Sequence, residues 1–139
     1  MIPSQYTCDG RNVSPPLSWS GVPADAKNLA LICDDPDAPA GVWVHWVVYD
    51  LPASAKGLPE AVPPRDEISG GGRQGKNDFR KTGYGGPCPP GGTHRYVFTL
   101  SALDRPVGLP AGATKAQLLS AMHGHVLAEG KLTGKYSRR

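Results

Sequence analysis

Residues 42–49 read Val-Trp-Val-His-Trp-Val-Val-Tyr. Seven of these eight are β-branched or aromatic residues with an affinity for a pleated, half-buried surface, so the stretch predicts a strand, and Leu51-Pro52 closes it. Two further strands are legible on either side. Leu-Ala-Leu-Ile-Cys at 29–33 is a short apolar run ended by the turn-rich string Asp34 to Gly41. Arg-Tyr-Val-Phe-Thr-Leu-Ser at 95–101 is the third. A short strand is predicted at 131–136. One helix is expected over 114–129, where Thr114 and Gln117 form a capping box and Leu119, Met122 and Val126 make a stripe. Gly124 weakens it.

Composition agrees with a mainly β chain. Glycine (18) and proline (15) make about a quarter of 139 residues, roughly twice the usual share. Helical bundles are disfavoured, because each of these residues is costly inside a helix. Glycine has no period of three, no heptads occur, and no apolar run approaches the length of a membrane span. Hydrophobic residues at 39% argue against disorder. The length suits a single domain over residues 1–139. A net charge of +3 is too weak to indicate nucleic acid. The basic tail Lys135, Arg138 and Arg139 reads as a solvated end. No signal peptide is evident at the start, so the expected compartment is the cytoplasm. The three cysteines are odd in number and lack CxxC spacing. Cys33 reads as a buried apolar residue. Cys8 and Cys88 lie in polar turns and can pair or react, with two reduced thiols the favoured reading.

Residues 53–92 form a loop of about 40 residues, unusual in a compact domain unless it builds a site. Within it, Gly70-Gly71-Gly72-Arg73-Gln74-Gly75 fits GxGxxG and nearly continues into a P-loop. Both motifs need a hydrophobic strand before and a helix after. Neither is present, so the nucleotide reading fails and a flexible loop is the better account.

Four ionisable side chains sit near the ends of the strong strands: Asp35 and Asp37 after the first, His45 within the second, and His94 opening the third. Simple alternation places His45 with Trp43, Val47 and Tyr49, and His94 with Tyr96, Phe98 and Leu100. A buried histidine needs a partner, usually a carboxylate. The set can be two separately bonded core histidines, a metal site, an acid–base site or an oxyanion site. The string Gly85-Gly86-Pro87-Cys88-Pro89-Pro90-Gly91-Gly92 beside His94 offers bare backbone held in fixed turns, which favours a small anion over a metal.

Asp34-Asp35-Pro36-Asp37-Ala38-Pro39, Val44-His45-Trp46 and Gly85 through Tyr96 resemble the phosphatidylethanolamine-binding protein family, in its bacterial, Raf-kinase-inhibitor-like branch. The resemblance covers essentially the whole chain. It implies a β-sandwich of antiparallel sheets with long Gly/Pro-rich loops and one or two short helices. It also implies an anion pocket for phosphate, phosphorylethanolamine-like groups or a phospholipid head group. Asp35, Asp37, His45 and His94 would line it, and Pro39, Trp43, Gly86, Pro87, Cys88 and Tyr96 would shape its walls. The Ala38–Pro39 bond would be cis. The implied activity is binding, with modulation of a kinase or protease, without cofactor, metal or catalytic residues. The rival is a metal-assisted or His/Asp acid–base hydrolase using Asp35, His45 and His94. Relatives usually carry a further N-terminal strand, so an open sheet edge is expected, inviting a homodimer. The pocket-narrowing C-terminal helix of eukaryotic relatives has no counterpart before Arg139, which implies a more open pocket.

Overall fold

A computed structural model describes residues 1–138. A 3-10 turn at Ser4–Tyr6 is followed by β1 (Leu17–Ser18), β2 (Asn28–Asp35), β3 (Trp43–Pro52), β4 (Gly57–Leu58), β5 (Arg73–Gln74), β6 (Thr93–Leu103), α1 (Lys115–Met122) and β7 (Val126–Ser137). The protein is mainly β, as expected. Five strands form one antiparallel sheet in the order β5-β3-β2-β6-β7, and β1 pairs with β4 in a second, two-stranded sheet. The three strands read from sequence are its centre, each one to three residues longer than read at most ends.

The sheet has two different faces. One buries Leu29, Leu31, Cys33, Trp46, Val48, Tyr96 and Phe98, and is covered by Leu17 and Leu58 of the small sheet and by loops. The other buries Ala30, Ile32, Val47, Tyr49 and Leu103 against Leu118 and Met122 of α1. Each fully buried leucine stabilises the fold by roughly 1.5–3 kcal/mol. The capping box at Thr114 forms as predicted: its side chain accepts from the Gln117 amide, and its own amide donates to the Gln117 side chain.

The predicted helix is too long. It ends at Met122, and residues 126–129 belong to β7. Gly124 adopts φ +80°, a left-handed turn that breaks the helix and starts the strand. β7 then pairs with β6 from Val126↔Leu103 to Ser137↔Thr93. That long ladder, interrupted once by a bulge at Leu127, outweighs the helical spacing of Leu119, Met122 and Val126; Leu119 and Val126 are in fact exposed.

Three further expectations are corrected. No cis peptide occurs among the described residues, so Ala38–Pro39 has the trans form that X–Pro bonds ordinarily prefer. Cys8 and Cys88 are joined in a disulfide across a sequence separation of 80, rather than left as two thiols. The C-terminal end is docked, not merely solvated. Tyr136 Oη donates to Asp9 Oδ2 at 2.6 Å, and Arg138 pairs with Asp9 at 3.1 Å. Arg139 lies outside the described residues. No helix among these residues is long and apolar enough to cross a membrane.

The 53–92 segment is held by buried polar nodes, which is how so long a loop stays ordered. Trp46 Nε1 donates to Gln74 Oε1 at 2.8 Å, while Gln74 Nε2 donates to the carbonyls of Pro63 and Arg65. Asn77 donates to the Gly83 carbonyl and accepts from the Phe79 and Lys81 amides. Such satisfied nodes are costly to break, because each orphaned buried group loses its partner.

Candidate functional site

One end of the first sheet face carries a cavity of about 210 Å³ lined by Asp35, Ala38, Trp43, His45, Phe79, Cys88, Pro89, Pro90, His94 and Tyr96. Its position follows from strand register. Asp35 continues the Leu29, Leu31, Cys33 side of β2, and His94 continues the Tyr96, Phe98 side of β6. His45 arrives by a different route. Cys33 opposes Trp46 and Asp34 opposes Val44, so His45 is the extra residue of a β-bulge. The bulge separates it from Val47 and Tyr49, which point to the α1 side. Alternation alone put His45 with those two residues. The bulge instead turns it toward Tyr96 and Phe79, whose rings it meets edge-on at 5.2 and 5.5 Å.

Both imidazoles are anchored through Nδ1. His45 Nδ1 lies 2.6 Å from the Gly85 carbonyl, and His94 Nδ1 lies 2.6 Å from Asp35 Oδ2. A carbonyl and a carboxylate only accept, so both Nδ1 atoms carry the proton. Nε2 of each ring meets no protein hydrogen-bond partner among the described residues. Asp35 is fully engaged, with Oδ1 accepting from the Asp37 amide at 2.7 Å. Burial lowers the pKa of His45, outweighing the Gly85 hydrogen bond and the nearby carboxylates. Burial raises the phenol of Tyr96. Both shifts keep the groups neutral.

Of the residues expected at the site, Asp35, Trp43, His45, Cys88, His94 and Tyr96 come together around the cavity. Asp37 does not. It makes a bidentate pair with Arg95, at 2.9 Å to Nε and 2.8 Å to Nη2, and accepts the Arg95 amide. Arg95 holds its carboxyl well below the usual range. Pro39 is exposed and off the lining. Gly86 and Pro87 lie behind the wall, binding the N-terminal segment. The Gly86 amide donates to Asn12 Oδ1, the Cys8 amide donates to the Pro87 carbonyl, and a Cβ on Gly86 would collide with the Tyr6 carbonyl. Sequence reasoning missed Ala38, Phe79, Pro89 and Pro90. Phe79 reaches the cavity because the Asp78 amide and carboxylate bond the Val44 carbonyl and amide. No sequence-local signal marks that contact.

Chemically, the cavity offers two fixed imidazoles and aromatic walls, with no lysine or arginine in its lining among the described residues. Among the described residues, no group of three or more His, Cys, Asp or Glu side chains is arranged to hold a metal ion. The fold is that of known proteins. It superimposes on the crystal structure of a phosphatidylethanolamine-binding protein homologue from Chlamydia trachomatis with a TM-score of 0.91 and 43% identity, over 99% of this chain and 90% of that one. The family model for phosphatidylethanolamine-binding protein matches residues 1–137. The chain belongs to the phosphatidylethanolamine-binding protein family.

Other family members are similar across nearly the whole length. The Escherichia coli protein YbcL, described as a member of the mammalian family, matches with a TM-score of 0.85 and 36% identity, over 95% of this chain and 84% of that one. A UPF0098 protein of Methanothermobacter thermautotrophicus is 58% identical, covering 99% of this chain and 91% of the relative. One of Aquifex aeolicus is 48% identical, covering 99% and 81%. These family members include archaeal as well as bacterial proteins, so a purely bacterial attribution is too narrow. The UPF0098 names assign no reaction to them.

Proposed function

We propose that this family member is a non-enzymatic binding protein whose cavity takes a small phosphate-like anion, free or as the head group of a phospholipid. One observation carries the reading: His45 and His94 both line one small cavity, each with Nδ1 locked and Nε2 left without a protein partner among the described residues. Fixed rings lose little freedom on binding, which favours affinity. The volume supports a small ligand, since pockets for drug-sized molecules start near 300 Å³. A larger cleft of about 270 Å³ lies between β1 and β7, but its lining is chiefly aliphatic and has no histidine.

The hydrolase alternative is weaker because Cys88, the one cysteine in the cavity lining, is held in the disulfide and offers no thiol as a nucleophile. Asp35 has both oxygens engaged and serves to orient His94.

Calorimetric titration with phosphorylethanolamine, on the protein and on His45→Ala and His94→Ala, tests the reading. Binding is expected for the parent and lost in both variants, with circular dichroism showing that they remain folded. Retained binding in both variants would move the site elsewhere.

A further inference from the structure

The geometry points to a cavity that selects an oxyanion carrying one proton, with His45 accepting from its hydroxyl and His94 donating to a charged oxygen. This rests on the binding reading above and names the form of ligand bound.

The two histidines are not equivalent. His45 gives its Nδ1 proton to a neutral backbone carbonyl, so its neutral ring presents a lone pair at Nε2. Its other neighbours are the rings of Phe79 and Tyr96, and the charges that act on it are the carboxylates of Asp35, Asp78 and Asp34. Burial opposes protonation of His45, which keeps it an acceptor. His94 gives its Nδ1 proton to the Asp35 carboxylate, and both side chains are more than nine-tenths buried. That carboxylate can balance a second proton on the ring in the complex, where its Nε2–H donates to the anion. Tyr96 stacks on His94, and the charged groups beyond it are Asp37 and Arg95, already committed to each other.

Among the described residues, no lysine or arginine lines the cavity, although Arg138 Nη1 reaches the Cys88 sulfur of its wall at 3.7 Å. Arg95 is held by Asp37, and Arg138 by Asp9. A dianion buried against a lone pair and the Asp35 charge would be poorly compensated. A singly protonated phosphate monoester matches both rings, giving P–OH to His45 and P–O⁻ to His94. Its second ionisation falls near pH ~6, so this form is abundant in mildly acidic solution. Methyl sulfate has nearly the same shape and size and the same single charge, but has no proton to give in that range.

The discriminating experiment measures dissociation constants for methyl phosphate and sodium methyl sulfate at equal ionic strength near pH 6, with ¹⁵N spectra of the imidazoles. Methyl phosphate is expected to bind at least about tenfold tighter than methyl sulfate, the worth of one unmade buried hydrogen bond. His45 Nε2 should keep the shift of an unprotonated acceptor in the complex. In His45→Phe methyl phosphate should lose more affinity than methyl sulfate, so that the residual weak binding of the two at high concentration is alike. Equal affinities for two anions that compete for the cavity, or a protonated His45 Nε2 in the complex, would overturn the selection while leaving anion binding intact. Failure of both anions to bind, or to perturb either imidazole, would overturn the binding reading as well.

Discussion

The two faces of the central sheet are closed in different ways. On one, Val47, Tyr49 and Leu103 are sealed by a short capped helix through Leu118 and Met122. Aliphatic packing and one capping box do the work. On the other, the end of the sheet bearing Asp35, His45 and His94 is closed by loops pinned through polar bonds and one covalent link. The difference separates stability from site geometry. The first face can be weakened without moving the histidines. The second cannot lose an anchor without loosening the cavity wall, because Cys88 and its neighbouring prolines are part of that wall.

Opening the covalent link should have the largest effect. A disulfide closing a loop of 81 residues restricts the unfolded chain by about 4 kcal/mol in the entropy model. Cys8→Ser should therefore show a strongly lowered denaturation midpoint together with weakened anion binding. An unchanged affinity would mean that the wall does not depend on this link. Leu118→Ala comes next. The side chain is fully buried, and its loss should cost about 2–4 kcal/mol. Calorimetry should find anion affinity within about twofold of the parent, because the residue lies behind the other face; a larger loss would couple the two faces.

The smallest effect is on pH. Burial depresses the pKa of His45 in the folded protein, so the unfolded chain binds the extra proton more readily. The stabilisation is therefore full above the unfolded value of about 6.5 and is lost as pH falls through the folded value. Denaturant melts of the parent should lose stability below that range, and His45→Phe should lose less.

Much of this was legible in the sequence, for physical reasons that also mark its limits. β2, β3 and β6 announce themselves because their runs of β-branched, aromatic and aliphatic residues suit no other environment. β7 does not: Val126 and Leu127 continue a helical spacing, and only pairing with β6 decides against it. Asp35, His45 and His94 stand out because ionisable groups beside apolar strands demand partners. Their surroundings were less visible. The bulge that turns His45 is a property of register, which one strand alone does not encode. Arg95 captures Asp37 although it adjoins His94 in sequence. The Cys8–Cys88 link and the approach of Phe79 join distant segments, and spacing carries no record of them.

The central claim is that histidines hold the anion. Titrating methyl phosphate by calorimetry from about pH 5.5 to 8.5 tests it most directly. Complex formation should take up the proton that the phosphate monoester has lost above its second ionisation near pH ~6, so affinity should fall steadily as pH rises. A flat profile across that interval would contradict the account.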